Sequence, residues 1–130
     1  MIMTVENVSE HKQSAVNFLK LVVAGRIDEA YQKYVNMGGK HHNPFFPAGF
    51  PALKTAMAEN HVQFPNKHLT VNLVLGDGNL VAVHSHLVPG ESEKGMAVVH
   101  IFRFDGGKVE EMWDCGQFLP ADSPNNDGAF

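Results

Sequence analysis

Two residues in this chain combine types and spacing suited to proton chemistry: His100 and Asp114. They lie in the stretch from Gly95 to Gln117, which reads as two strands, Met96–Phe104 and Lys108–Gln117, around Asp105-Gly106-Gly107. A three-residue hairpin loop, with glycine in its left-handed position, sets the expected pairing. Phe104 then faces Lys108, His100 faces Met112, and Asp114 faces Val98. With a side-chain period of two, His100 and Asp114 share a face as diagonal neighbours, roughly 7–8 Å apart at Cα. A two-residue loop would shift the register by one and separate them. A carboxylate in an apolar wall has its charged form disfavoured, which is how such a group becomes a general acid or base near neutral pH. Asp114 is therefore the first catalytic candidate. His100 is the second, as a donor to the acid or to a substrate carbonyl. A satisfied structural acid–imidazole pair is the competing reading, since structural networks also perturb carboxylates.

The chain holds eight histidines. His84-Ser85-His86 alternates along a strand, so both rings point the same way. Pairing symmetric about Ser92 puts His84 opposite His100 and His86 opposite Val98. The expected inner face thus holds His84, His86, His100 and Asp114 among Met96, Val98, Phe102, Phe104 and Met112. A few convergent polar groups in an apolar wall describe a small-molecule pocket. His84, His86, Phe102 and Met112 are its candidate binding residues, with His42 and Asn43 at its mouth. His84, His86 and His100 are also a candidate metal set, because two histidines on one strand ligate when a third ligand converges. Lining or hydrogen-bonded imidazoles are the other reading, and the preferred one has no metal. His11, His61 and His68 read as surface or helix-end residues. Arg103 faces the other way with Ala97, Val99 and Ile101; Trp113, Cys115, Gln117 and Val109 share that outer face. Such an apolar outer face suits a sheet-to-sheet homodimer, unless the C-terminal tail covers it. Cys115 there shows no environment that would make it a nucleophile.

These side chains need a scaffold. Thr4–Ala24 has the spacing of an amphipathic helix, with Thr4 as N-cap and Gly25 as stop. A second helix spans Ile27–Val35 and ends at Gly38-Gly39. The stretch KHHNPFFPAGFP, with three prolines and a glycine, reads as an irregular loop whose aromatics pack over something. A third helix runs from Pro51 to Glu59, with Pro51 at N1. After Pro65 the period becomes two: Leu69–Leu75, a turn at Gly76-Asp77-Gly78-Asn79, Leu80–Val88, and the hairpin already described. Helices followed by consecutive strands predict one α+β domain over residues 1–118. Its form is a curved antiparallel sheet, a cone, with the three N-terminal helices on its concave face. Residues 119–130 read as a loosely held tail.

At 130 residues and 44% apolar composition the chain can bury a core without disulfides. A net charge of −4 without a basic run gives no nucleic-acid footprint. A single cysteine fits a reducing cytoplasm, and the sequence shows no signal peptide and no apolar run long enough to span a membrane.

The order of helices, the His42-Asn43-Pro44 loop, and the strand motifs GDGNLVAVHSH and HIFRFDGGKVEEMWD resemble the SnoaL-like polyketide cyclases of the nuclear transport factor 2-like superfamily. The resemblance covers Val5 to Gln117. It implies a cystatin-like α+β barrel, dimers paired through the outer sheet face, and an intramolecular aldol ring closure that needs no cofactor. It also implies that Asp114 is the acid/base, that His100 assists, and that His42 and Asn43 sit at the pocket mouth. The same cone serves isomerases, hydrolases, dehydratases and pure binding proteins, so fold alone does not choose the chemistry. The hydrolase variant needs an inward arginine, and Arg103 is expected to point outward.

Overall fold

The computed structural model describes residues 7–91 and 94–130. Three helices precede and interrupt a five-stranded sheet: α1 (Val8–Val23), α2 (Ile27–Tyr34), β1 (Val35–His41), α3 (Phe50–Gln63), β2 (His68–Asp77), β3 (Leu80–Val88), β4 (Met96–Asp105) and β5 (Lys108–Phe118). The strand order is β1-β5-β4-β3-β2. All neighbours are antiparallel except β1 and β5, which run parallel, so the sheet is mixed rather than wholly antiparallel.

The expected cap at Thr4 lies outside the described residues. Within them α1 begins at Asn7, whose side chain accepts the Ser9 amide at 2.9 Å. It ends at Gly25, with φ of +83°, where the Arg26 amide reaches back to the Leu21 carbonyl and the Gly25 amide to that of Val22. Each helix contributes an aromatic or apolar edge to one core. Phe18 of α1 meets Tyr31 of α2 edge-on at 5.3 Å and Phe102 of β4 at 5.9 Å. Tyr31 in turn meets Phe50 of α3 at 6.4 Å. No helix among the described residues is long and apolar enough to cross a membrane.

Strand β1 is a correction to the sequence reading. Gly38-Gly39 does not stop a helix; it lies inside β1, in the irregular stretch between the pairs Val35–Val109 and Lys40–Glu111. Helical and turn propensities hid a strand whose pairing partner is more than seventy residues away. Gly39 is required by contact: a Cβ there would sit 2.1 Å from the Glu110 carbonyl oxygen.

The β4–β5 hairpin holds a second correction. Gly106 and Gly107, with φ of +60° and +81°, form a two-residue turn, and Asp105 pairs with Lys108. Taken alone, that turn would send His100 and Asp114 to opposite faces. A β-bulge reverses the outcome. Phe104 pairs with Val109 and Arg103 with Glu111, leaving Glu110 as the extra residue. Beyond the bulge His100 stands directly opposite Asp114, and Phe102 opposite Met112. Val109 precedes the bulge and so turns into the core, fully buried, instead of outward as expected.

Strands β3 and β4 are also offset by one from the expected pairing. Val83, not His84, faces His100; His84 faces Val99, and Ser85 faces Val98. Because one residue of slip exchanges the two faces, the buried side of β3 consists of Val81, Val83 and Ser85. Burying two valines instead of two imidazoles avoids desolvating polar rings and adds apolar area to the core.

Candidate functional site

On the inner face, β4 and β5 bring His100 and Asp114 together as directly opposed residues. Antiparallel partners at this distance are in reach of side-chain interaction. Below them lie Phe102 and Met112, also directly opposed and buried in the core. The Phe102 ring is nearly parallel to the His100 ring, with centroids 6.1 Å apart. Both therefore form the floor beneath the acid–imidazole pair. His100 keeps part of its ring accessible, but its Nδ1 is buried and has no hydrogen-bond partner. Burial holds the imidazole below its ordinary pKa, and the nearby Asp114 charge pulls in the opposite direction without reversing the shift.

Asp114 is fixed from the loop after β1. The Asn43 side-chain amide donates to its Oδ2 at 3.0 Å. Asn43 is itself locked: its amide nitrogen donates to His41 Nδ1 at 3.1 Å, and its Oδ1 accepts the Phe45 amide at 2.9 Å. His41 is the buried histidine of this loop, with Nε2 donating to the Pro47 carbonyl at 2.8 Å and its ring against Phe50. The expectation for His42 fails here. Its amide donates to the Met112 carbonyl, while its ring turns to the outer side, stacks on Trp113 at 5.1 Å and bonds Glu111 at 2.6 Å. Alternation along β1 explains the exchange: His41 and His42 point opposite ways, and the core takes the first.

Tyr31 completes the site and was not singled out from sequence beyond its place on the inward side of α2. It is almost fully buried, and its hydroxyl is pushed well above its ordinary pKa, first by burial and then by the Asp114 charge. Its signal in the sequence was no stronger than that of any apolar-face tyrosine.

His84 and His86 belong to the outer face. The Phe130 ring lies 5.3 Å from His84 and 4.8 Å from His86, and His86 Nε2 donates to the Lys94 carbonyl at 2.7 Å. They do not line the inner wall, and they do not converge with His100, which lies through the sheet from them. Among the described residues no group of three or more metal-ligating side chains comes together. Arg103 and Cys115 are on the outer face as expected; Arg103 binds Glu111, and Cys115 is exposed. His11 is not a surface residue: it is buried, stacked on Phe104 at 4.6 Å, and its Nδ1 donates to the Gly78 carbonyl.

A surface concavity of about 490 Å³ lies between Phe46-Pro47 and the outer side of α3 and contains neither His100 nor Asp114. Its polar lining is Thr55, Glu59, Asn60 and Gln63. Its lining holds Glu59 but no imidazole, unlike the inner face, where Asp114 and His100 are opposed.

Residues 15–112 match the model of the SnoaL-like domain. No curated protein sequence matches the chain. Among solved structures, a SnoaL-like protein of unknown function from Burkholderia thailandensis superposes with a TM-score of 0.71 at 16% identity, covering 85% of this chain and 97% of its own. A cystatin-fold protein from Novosphingobium aromaticivorans gives 0.68 at 17% identity, over 81% and 97%. A candidate ketosteroid isomerase from Kribbella flavida gives 0.69 at 18% identity, over 92% and 87%. At these identities the likeness establishes the fold.

Proposed function

The chain belongs to the SnoaL-like family, and we propose that it performs cofactor-free acid/base chemistry on a small carbonyl compound held against the inner face of its cone. The observation that carries this reading is the direct opposition of Asp114 and His100, with Asn43 donating to one carboxylate oxygen. Asn43 directs Oδ2 and leaves Oδ1 as the proton acceptor. Oδ1 takes the proton from the carbon next to the carbonyl, and the C–H electron pair moves into the enolate. The protonated acid then returns that proton to a carbon of the same molecule, an isomerisation. In the aldol variant the enolate carbon adds to a second carbonyl, whose oxygen receives the proton. His100, kept neutral by burial, donates to the carbonyl oxygen as charge develops there. Phe102 and Met112 supply the apolar floor. The naming of the Kribbella flavida neighbour as a candidate isomerase favours this class.

Asp114→Asn tests the proposal. The variant keeps the Asn43 contact region and the shape of the acid. Turnover of a carbonyl substrate, or exchange of its α-protons followed by NMR in deuterated water, should fall by a factor of 10² or more, in the range general-base removal gives. The circular dichroism spectrum should stay unchanged. Undiminished exchange would remove Asp114 from the mechanism; binding that persists without any exchange in the wild type would mark a ligand-binding cone instead.

We also propose the outer face for self-association. Leu73, Leu75 and Ile101 are exposed there, and the Phe130 ring lies against His84 and His86.

A further inference from the structure

His41 is buried at the end of β1, and both of its ring nitrogens meet backbone groups of fixed polarity. The Pro47 carbonyl can only accept, so Nε2, 2.8 Å away, carries the ring proton. In a neutral imidazole Nδ1 is then a bare acceptor. It takes the backbone N–H of Asn43 at 3.1 Å. The Asn43 side chain is oriented by the same logic. The Phe45 amide can only donate, so Oδ1 faces it at 2.9 Å, and Nδ2 is left to face Asp114 Oδ2 at 3.0 Å. Polarity thus runs one way, from the Pro47 carbonyl through the His41 ring and Asn43 to the carboxylate. The segment is tied to the strand it serves. His41 pairs with Met112, two residues before Asp114, and the His42 amide donates to the Met112 carbonyl. The fully buried Phe50 ring lies 6.3 Å from the His41 ring and restricts its rotation. Asn43 and Asp114 are only half-buried. Short side chains at such exposure exchange between staggered wells unless a partner holds them.

We propose that His41 is a positioning residue: its Nε2–H tautomer holds the Asn43 amide, and through Asn43 it sets the orientation of the Asp114 carboxylate. Its purpose rests on the acid/base reading above, to which it adds a residue that does not itself touch the acid. Orientation matters there because a displacement of about 1 Å at a reacting group can cost about 10²-fold in rate. A histidine suits the place because one planar ring offers a donor and an acceptor at once. An apolar ring of the same size would fill the space beside Phe50 and leave the Pro47 carbonyl and the Asn43 amide without partners.

NMR on the isotope-labelled full chain tests this without a substrate. In the wild type the His41 ring nitrogens should show Nε2 protonated and Nδ1 bare. A proton on Nδ1 overturns the proposal, whatever the variants do. Asn43→Ala supplies the reference displacement of the Asp114 carboxyl carbon signal. His41→Gln places an amide near the Nε2 position but has no counterpart of Nδ1. It should move the Asp114 signal in the same direction and speed exchange of the Asn43 amide proton about tenfold, the loss of one hydrogen bond. His41→Asn puts its Oδ1 where Nδ1 was, and should return both readings toward wild type despite the larger gap beside Phe50. A residue that only filled space would be replaced better by glutamine than by the smaller asparagine. That opposite order, or an Asp114 signal unmoved in His41→Gln, overturns the proposal. Undiminished α-proton exchange in Asp114→Asn would remove the acid/base reading and leave these signals as they are, so the two fail separately.

Discussion

The inner and outer faces of this sheet carry the same kinds of side chain, yet the two sets cannot do the same work. On the inner face one imidazole and one carboxylate are opposed above Phe102 and Met112, and burial governs the charge of the imidazole. On the outer face His42 meets Glu111 and Arg103 beside Trp113. There the His42 hydrogen bond is the main cause holding the Glu111 carboxyl below its usual value, with Arg103 adding to it. Solvent screens that outer network, so its charges contribute little to folding. Residue type alone therefore does not distinguish an inward-facing acid–imidazole pair from a surface ion pair. The face does, and the face is set by register.

The sharpest way to break the contrast is by truncation on each side of β4. Phe102→Ala should cost about 3–5 kcal/mol in urea denaturation, as large-to-small core changes do, whereas Ile101→Ala, its exposed neighbour, should cost under about 1 kcal/mol. Equal losses would mean that the outer face is buried as deeply as the inner one. Next in size is Gly39→Ala. The new Cβ would press on the Glu110 carbonyl, and about 2 kcal/mol of stability should go, with β1 amides losing hydrogen-exchange protection first.

Titration should expose the burial of the inner side at both ends of the pH range. His100 has a folded-state pKa below its ordinary 6.5, so the unfolded chain binds its proton first as the solution is acidified. Its contribution is thus complete above that value and declines as pH falls through it. Tyr31 is raised from 10.0, so its contribution is lost as pH rises past that point. Denaturation midpoints should fall at both ends, and His100→Gln should flatten the acid side. An unchanged acid limb in that variant would show that His100 does not sense burial. The smallest effect belongs to His42→Ala: a slight loss of stability at low salt that disappears at high salt. A loss independent of salt would place His42 among the structural residues of the site.

Much of the scaffold could be read from the chain. Leu80–Val88 was bounded correctly because alternation and flanking turn residues agree there, and α1 and α3 were legible from apolar spacing and Pro51. Strand β1 was not, since Gly38 and Gly39 lack strand propensity and its partner is distant in sequence. That His100 and Asp114 share a face was legible, but the path to it contained two errors that cancelled. The turn is one residue shorter than expected, and the Glu110 bulge restores the parity. The β3–β4 offset had no such compensation, so His84 and His86 went to the wrong face and Ser85 was overlooked. No local pattern announces a bulge or fixes a seven-residue loop, whereas packing of Val81 and Val83 does.

Glu110 also bears on how such a strand can change over time. Deleting Glu110 would leave every pair beyond it, His100–Asp114 included, where it is, but a variant that keeps residue 110 and draws it into regular pairing would exchange interior for exterior along the rest of β5. Trp113 would then face the cone and Asp114 the solvent, with the remaining order of the chain untouched. Straightening the bulge is a one-step route from an acid-lined inner face to an aromatic-lined one.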